Sequence, residues 1–278
     1  MDELLRVDDA SLTFTLPDGT KLPVLRDVSF SMQEGECVGL IGESGCGKST
    51  LARLVLGLYE PDTGRVSRSC GTRDMHMIFQ DADGALDPRM TAREILREAA
   101  GLARRKIARC DEDAVFSRLM EQTGLRPYYL DSYPGELSGG QRQRIAIARC
   151  LIARPKLILA DEPVAALDVS IQAQIINLLT DLQAEYHFAM LFIAHDLAVV
   201  RHLCKRILVM YRGRLVETGT AEDIFEHAAH PYTRLLLASI LRPDPRYERA
   251  KVLPPYDAEQ FSRGSALSEL TPGHFVRR

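Results

Sequence analysis

Hydrophobic and polar positions alternate along residues 4–33, which are rich in β-branched and aromatic side chains, and Pro17, Asp18 and Gly19 interrupt the alternation. A period of two broken by turn formers predicts antiparallel strands. Residues 37–41 are a short continuous apolar run followed by a glycine-rich loop. Leu51, Leu54, Val55 and Leu58 then recur at helical spacing. Strand, loop and helix are predicted in succession. A further strand is predicted over 75–79, ending at Gln80.

From 91 to 154 the pattern turns helical. Thr91 with Glu94 forms a capping box, 111–124 has helical spacing and a closing glycine, and 140–154 stops at Pro155. Beyond Pro155, strands are predicted at 157–160, 189–194 and 206–211, and a helix at 170–186 with Ile171, Ile175, Leu178 and Leu182 on one face. This alternation predicts an α/β fold with a mainly parallel sheet and right-handed crossovers. The helical block at 81–154 reads as an insertion into it. From Arg242 onward, Pro243, Pro245, Pro254, Pro255 and Pro272 break any regular pattern, so 242–278 reads as a tail behind a domain spanning 1–241.

Composition narrows the class. The 278 residues carry 35 basic and 38 acidic side chains, for a net charge of −3, with 26% charged and 46% apolar. Such values exclude a disordered chain and a nucleic-acid-coating polycation. The longest apolar stretch, 188–200, is interrupted by His195 and Asp196, which predicts no membrane span. Residues 1–6 have neither the basic start nor the apolar run of a signal peptide. The six cysteines (37, 46, 70, 110, 150 and 204) form no CxxC pair, so neither a disulfide framework nor a metal knuckle is expected. These measures describe a soluble cytosolic protein.

Three motifs carry chemistry. Gly42, Glu43, Ser44, Gly45, Cys46, Gly47, Lys48 and Ser49, with Thr50 following, fit GxxxxGK[ST] between a predicted strand and a predicted helix. Glycines let backbone N–H groups turn inward around phosphate oxygens, and the helix start adds the positive end of its dipole. Lys48 would reach the β- and γ-phosphates of a nucleoside triphosphate, and the Ser49 hydroxyl would ligate Mg²⁺. Asp161 and Glu162 close a second apolar strand: Asp161 would hold Mg²⁺ through water, and Glu162 would orient or deprotonate the attacking water. Ser138, Gly139, Gly140 and Gln141, after Leu137, open a helix with Ser138 as the natural N-cap, a second helix terminus able to receive phosphate. Cys46 lies inside the loop, where the helix terminus could lower its pKa, although simple loop filling is the plainer role.

The pentapeptide Leu137 to Gln141 between the two nucleotide motifs resembles the signature of ABC-type ATPases. The rest of that family's set follows in order: Gln80, Pro163 after the acidic pair, Ala166, Leu167 and Asp168, and His195 after an apolar strand. The resemblance covers about 4–240. It implies a P-loop (RecA-like) core with an N-terminal antiparallel β subdomain and an inserted α-helical subdomain. It makes Gln80 a link between Mg²⁺ and a transmembrane partner, Asp168 a residue of the dimer seam, and His195 the switch histidine on the γ-phosphate. Ser138, Gly139, Gly140 and Gln141 would act on ATP held by the facing subunit. Two ATP molecules would then join the dimer, and hydrolysis would release it. An aromatic in the first strands usually stacks on adenine; Phe14 is placed for that, or alternatively is a core phenylalanine.

Segments 80–91, 161–174, 230–237 and 270–276 resemble the ATPase subunits of oligopeptide, dipeptide and nickel importers. That resemblance implies a second ATPase subunit of different sequence, with a homodimer as the other arrangement, two membrane permeases, an extracytoplasmic solute-binding protein and no nucleic acid. The chain would work at the cytoplasmic face of a bacterial inner membrane. Peptide is the leading solute, with nickel or a metal chelate next. Two departures stand out: no cysteine follows Cys204, so the tail cysteine cluster of some relatives is absent, and 64–75 is short for the group. A soluble accessory ATPase of a phosphonate carbon–phosphorus lyase assembly is the rival reading.

Overall fold

The alternating N-terminal segment folds as a hairpin of β1 (Glu3–Thr15) and β2 (Lys21–Gln33). The Leu16 N–H donates to the Thr20 carbonyl at 2.9 Å, and Gly19 takes φ +82° in the turn. The Asp9 N–H donates to Ser29 and the Asp27 N–H to Ser11, so the strands run antiparallel. In the computed structural model, residues 2–103, 107–108, 110–165, 167–239, 256–262, 264 and 266–278 are described. The remaining elements are β3 (Cys37–Ile41), α1 (Lys48–Leu56), β4 (Thr63–Arg68), β5 (Met75–Ile78), α2 (Ala82–Ala85), α3 (Ala92–Leu102), α4 (Glu112–Gln122), α5 (Gly139–Leu151), β6 (Leu157–Asp161), α6 (Val169–Tyr186), β7 (Ala189–Ile193), α7 (Leu197–Leu203), β8 (Arg206–Tyr211), β9 (Arg214–Thr220), α8 (Ala221–Glu226), α9 (Pro231–Ala238), β10 (Leu267–Thr271) and β11 (His274–Arg277).

The chain divides into two compact units. One comprises Met1–Leu4, Gln33–Glu36 and Arg68–Leu191; the other comprises Leu5–Met32, Cys37–Ser67 and Phe192–Arg278. In the first unit the strand order is β7-β6-β5, with β5 parallel to β6 in the register Met75↔Leu157 to Ile78↔Ala160. Every residue of β6 is buried, as a parallel strand covered on both faces requires. Between β5 and β6 the described chain has helices and no strand, in line with the inserted helical block. Thr91 caps α3 through the expected box: its N–H donates to Glu94 Oε2 at 2.8 Å, and the Glu94 N–H returns to Thr91 Oγ1 at 3.3 Å. At the end of α4, Gly124 takes φ +72°, and the Leu125 N–H reaches back to the Met120 carbonyl, the left-handed closure that stops a helix. Phe116, Leu119 and Met120 of α4 and Ile95 and Leu96 of α3 form the core of this block.

In the second unit, β2-β1-β4 form one sheet, and the run β10-β11-β9-β8-β3 belongs to another. β3 is parallel to β8, from Val38↔Arg206 to Ile41↔Val209, and all five of its residues are buried. The reading of 242–278 as an unpatterned tail is corrected for its described part. Ala258–Phe261 is a short helix, and β10 and β11 form a hairpin in which Phe275 pairs with Thr218 and Val276 with Glu217 of β9. Burial of His274 and Val276, each 2% exposed, drives the pairing, and Pro272 sits in the turn, where its missing N–H costs no ladder bond. Arg242, Pro243, Pro245, Pro254 and Pro255 lie outside the described residues.

Three smaller differences remain, two in boundaries and one in the face a helix buries. β5 ends at Ile78, so Gln80 lies two residues past the strand. α1 ends at Leu56 because Gly57 adopts φ +80° behind it. α6 buries Ile175, Ile176, Leu179 and Leu182, so its inner face is rotated from the predicted one, leaving Ile171 and Leu178 half-buried.

Candidate functional site

The second unit holds the phosphate loop. β3 delivers the chain into Gly42, which takes φ +155° and passes so close to β8 that a Cβ there would lie 2.2 Å from the Met210 carbonyl oxygen. Gly45 follows at φ +77° with open space around it. The Gly213 N–H holds the loop from the β8–β9 turn by donating to the Cys46 carbonyl at 2.8 Å. Gly47 stands at the N-cap of α1 and supplies no side-chain cap, and a helix start of this kind favours an anion. Lys48 is 6% exposed and folds over the loop, its ammonium donating to the carbonyls of Gly42 and Glu43, each at 2.9 Å. A phosphate would exchange these carbonyl acceptors for anionic oxygens, which make the stronger charge-assisted bonds. Ser49 and Thr50 follow half-buried at the start of α1. Glu43, Ser44 and Gly45 are exposed.

Of the two roles weighed for Cys46 the plainer one holds: burial raises its thiol pKa, outweighing the lowering by Lys48. It fills the loop as a small apolar residue. Phe14 on β1 is half-buried and packs edge-on to Tyr59, ring centroids 5.3 Å apart, so it is not a fully buried core residue. His195 is exposed just beyond β7, directly before Asp196, whose carboxylate caps α7 by accepting from the Ala198 N–H at 2.9 Å.

The first unit carries the acidic pair and the signature helix. Asp161, 8% exposed, ends β6. Glu162 follows at φ +48°, a left-handed conformation that costs a non-glycine residue about 1–2 kcal/mol. Its carbonyl accepts from the Ala165 N–H, so the chain turns sharply after the strand. Strain of this kind is concentrated at functional positions. Ser138 caps α5 as predicted: its Oγ accepts from the Gln141 N–H at 3.3 Å, and its N–H donates to Gln141 Oε1 at 2.8 Å. The Gln141 amide also donates to the Tyr129 hydroxyl. A cleft of about 510 Å³ opens there, lined by Tyr128, Tyr129, Ser138, Gly140, Gln141 and Arg144 among others. Gly140 packs so close to α6 that a Cβ would meet Ile171 at 2.8 Å. Asp168 is exposed at the N-cap of α6, and Gln172 fixes the preceding turn by donating to the Val164 and Leu167 carbonyls. Ala166 of that turn lies outside the described residues. Gln80 is exposed.

The donors assigned to Mg²⁺, the Ser49 hydroxyl, the Gln80 amide and the Asp161 carboxylate, are all hard oxygen groups, which fits that ion. Among the described residues no cluster of three or more His, Cys, Asp or Glu could hold a metal by itself.

Sequence reasoning missed Tyr232. Its hydroxyl accepts a hydrogen bond from the Glu43 N–H at 2.8 Å, joining α9 to the phosphate loop. It also missed the buried pair Glu217 and His274, at 2.8 Å, on β9 and β11. Partners separated by 189 and 57 residues leave no local periodic signal.

Two family models match the chain: ABC transporter over residues 25–165, and the C-terminal region of oligopeptide/dipeptide transporters over 216–266. It is 44% identical to the oligopeptide transport ATP-binding protein OppF of Bacillus subtilis over 295 aligned positions, covering 99% of this chain and 96% of that protein. It is 41% identical to the dipeptide transport ATP-binding protein DppF of Lactococcus lactis, covering 99% and 93%. The dimeric post-hydrolysis structure of the ATP-binding cassette MJ0796 bound to ADP and Pi matches with a TM-score of 0.68 at 27% identity, over 78% of this chain and 99% of that one. Fold, phosphate loop and signature helix together define an ABC-type ATPase. Within that class, the chain belongs to the ATP-binding subunits of the oligopeptide/dipeptide transporter family.

Proposed function

We propose that this ATPase powers import of a peptide through two membrane permeases, fed by an extracytoplasmic solute-binding protein, from the cytoplasmic face of a bacterial inner membrane. The near full-length similarity to oligopeptide and dipeptide transport subunits carries the reading, supported by the match of 216–266 to their C-terminal region. Nickel or a metal chelate is the solute next in line. Among the described residues no helix is long and apolar enough to cross a membrane, so the spanning chains are assigned to partners.

Residue roles follow the family's chemistry. Lys48 and the N–H groups of 45–50 bind the β- and γ-phosphates of ATP, and Phe14 stacks on the adenine. Ser49, Gln80 and Asp161 hold Mg²⁺, which when bound supplies charge neutralisation at the transferring phosphoryl group. Glu162 accepts the proton of the attacking water, and His195 donates to the γ-phosphate. Ser138, Gly139, Gly140 and Gln141 present the positive end of α5 to ATP held by a second ATPase subunit, with Asp168 at the seam. A split site of this kind makes ATP bind the closed dimer more tightly than the open one, and that difference drives closure. The partner ATPase is a different chain in this reading, with a homodimer as the simpler arrangement. We assign 1–241 to the nucleotide-binding domain, 81–154 to its helical subdomain and 242–278 to a C-terminal extension.

Purification in detergent from the native host tests the assignment. Two multi-spanning permeases are expected to accompany the chain, and the accompanying solute-binding protein is expected to retain peptides. Recovery with soluble phosphonate enzymes and no permease would overturn it.

A further inference from the structure

Outside the phosphate loop, the second unit carries a buried polar line that ends on that loop. It starts in β11, where His274 lies 2.8 Å from Glu217 of β9; both are essentially buried, at 2% and 0% side-chain exposure. The other bonds of Glu217 fasten the entry to α9: Oε1 accepts from the Ala229 N–H at 2.7 Å, and Oε2 accepts from the His230 N–H at 3.1 Å. His230 then caps α9, its Nδ1 accepting from the Tyr232 N–H at 3.2 Å. Tyr232 is 3% exposed and packs against two aromatic rings. Tyr211 lies at 4.5 Å and Phe261 at 5.8 Å between centroids, and Phe261 in turn meets Tyr256. So fixed, its hydroxyl meets the Glu43 N–H at 2.8 Å.

Glu43 is the second residue of the loop, upstream of the N–H groups that receive phosphate in loops of this pattern. Anchoring its N–H to a protein acceptor fixes the loop entrance ahead of the later donors. We propose that Tyr232 is a positioning residue for ATP binding: the C-terminal segment clamps the phosphate loop through this hydroxyl, and the Glu217–His274 pair sets the clamp. A loop held open in its binding shape loses less conformational freedom when phosphate arrives, so the clamp raises affinity without touching the nucleotide. The inference rests on reading 42–49 as the ATP site.

The test is Tyr232→Phe in the full chain, which removes one oxygen and keeps the ring in its aromatic cluster. Loss of one hydrogen bond to a backbone donor predicts about a 3- to 10-fold weaker ATP affinity. The shift falls in KM and in the equilibrium Kd measured with Mg²⁺-ATP, while kcat is retained, because bound substrate and transition state lose the same loop order. Tyr211→Phe deletes a neighbouring hydroxyl that pairs with Tyr256 and is expected to leave KM as it was. A purely structural role would instead lower the thermal midpoint and the active fraction at constant KM; that pattern, or a Tyr232→Phe chain that does not fold, overturns the inference. Lys48→Ala runs alongside. If it abolishes ATP binding while Tyr232→Phe binds as the parent does, the clamp alone is refuted. If it leaves ATP binding intact, the reading of the loop itself falls.

Discussion

Two glycines of one loop make opposite demands on a methyl group. At Gly45 an added Cβ meets nothing within 4 Å, so Gly45→Ala carries only the left-handed backbone penalty at φ +77°, about 1–2 kcal/mol. At Gly42 the added Cβ would stand 2.2 Å from the Met210 carbonyl oxygen and 2.8 Å from Cys46 Sγ. Met210 belongs to β8, whose neighbours Leu208 and Val209 are paired to β3, so the carbonyl cannot swing aside without breaking the sheet. Strain of about 1–3 kcal/mol adds to an overpacking cost of about 1–3 kcal/mol, giving roughly 4 kcal/mol for Gly42→Ala. Against a whole-protein stability of about 5–15 kcal/mol, that is a large share. The chain has no tryptophan, so urea unfolding is followed by tyrosine emission and circular dichroism. Gly42→Ala should lower the midpoint at least twice as far as Gly45→Ala. Equal losses, or a milder Gly42→Ala, would refute the close approach of loop and strand.

The remaining predictions concern protonation and thiol access. Burial depresses the His230 imidazole below its ordinary value, so the folded state stays neutral while the unfolded chain takes up a proton as pH falls through about 6.5. That stabilisation is complete above about pH 6.5 and is lost below it. His230→Asn keeps a capping acceptor for the Tyr232 N–H and removes the titration, so its thermal midpoint should fall less than the parent's between about pH 7.5 and 5.5; parallel falls would count against the assignment. Burial raises the thiols of Cys46 and Cys150, the latter to about 11, and Cys204 is pushed well up by its bond to Cys37, with their Sγ atoms 3.5 Å apart, and by burial. Iodoacetamide labelling read by mass spectrometry should therefore modify exposed Cys110 first; equal labelling of Cys46 would contradict its buried setting.

Local chemistry was legible in the sequence wherever spacing within one element decided it. The phosphate loop, the Ser138 and Thr91 capping boxes and the strand feeding Asp161 all follow from residues within about one helical turn or one strand of each other. The inner face of α6 was not, because Ile171, Ile175, Leu178 and Leu182 make a helical stripe as regular as the buried set does. Only the packing partners choose between them. The C-terminal hairpin was hidden behind the prolines, although Thr271, Pro272 and Gly273 between two short runs are a turn signal that could have revealed it. The contact between Tyr232 and Glu43 had no signal of that kind. It exists because β9 and α9 return the chain to the loop, which only the fold determines.

The most direct test of the whole account is ATP turnover by Glu162→Gln in the assembled complex. With Glu162 as the group that accepts the proton of the attacking water, the isosteric amide should bind Mg²⁺-ATP as the parent does and lose roughly 10²- to 10⁴-fold in kcat. Turnover unchanged from the parent would contradict the account at its centre.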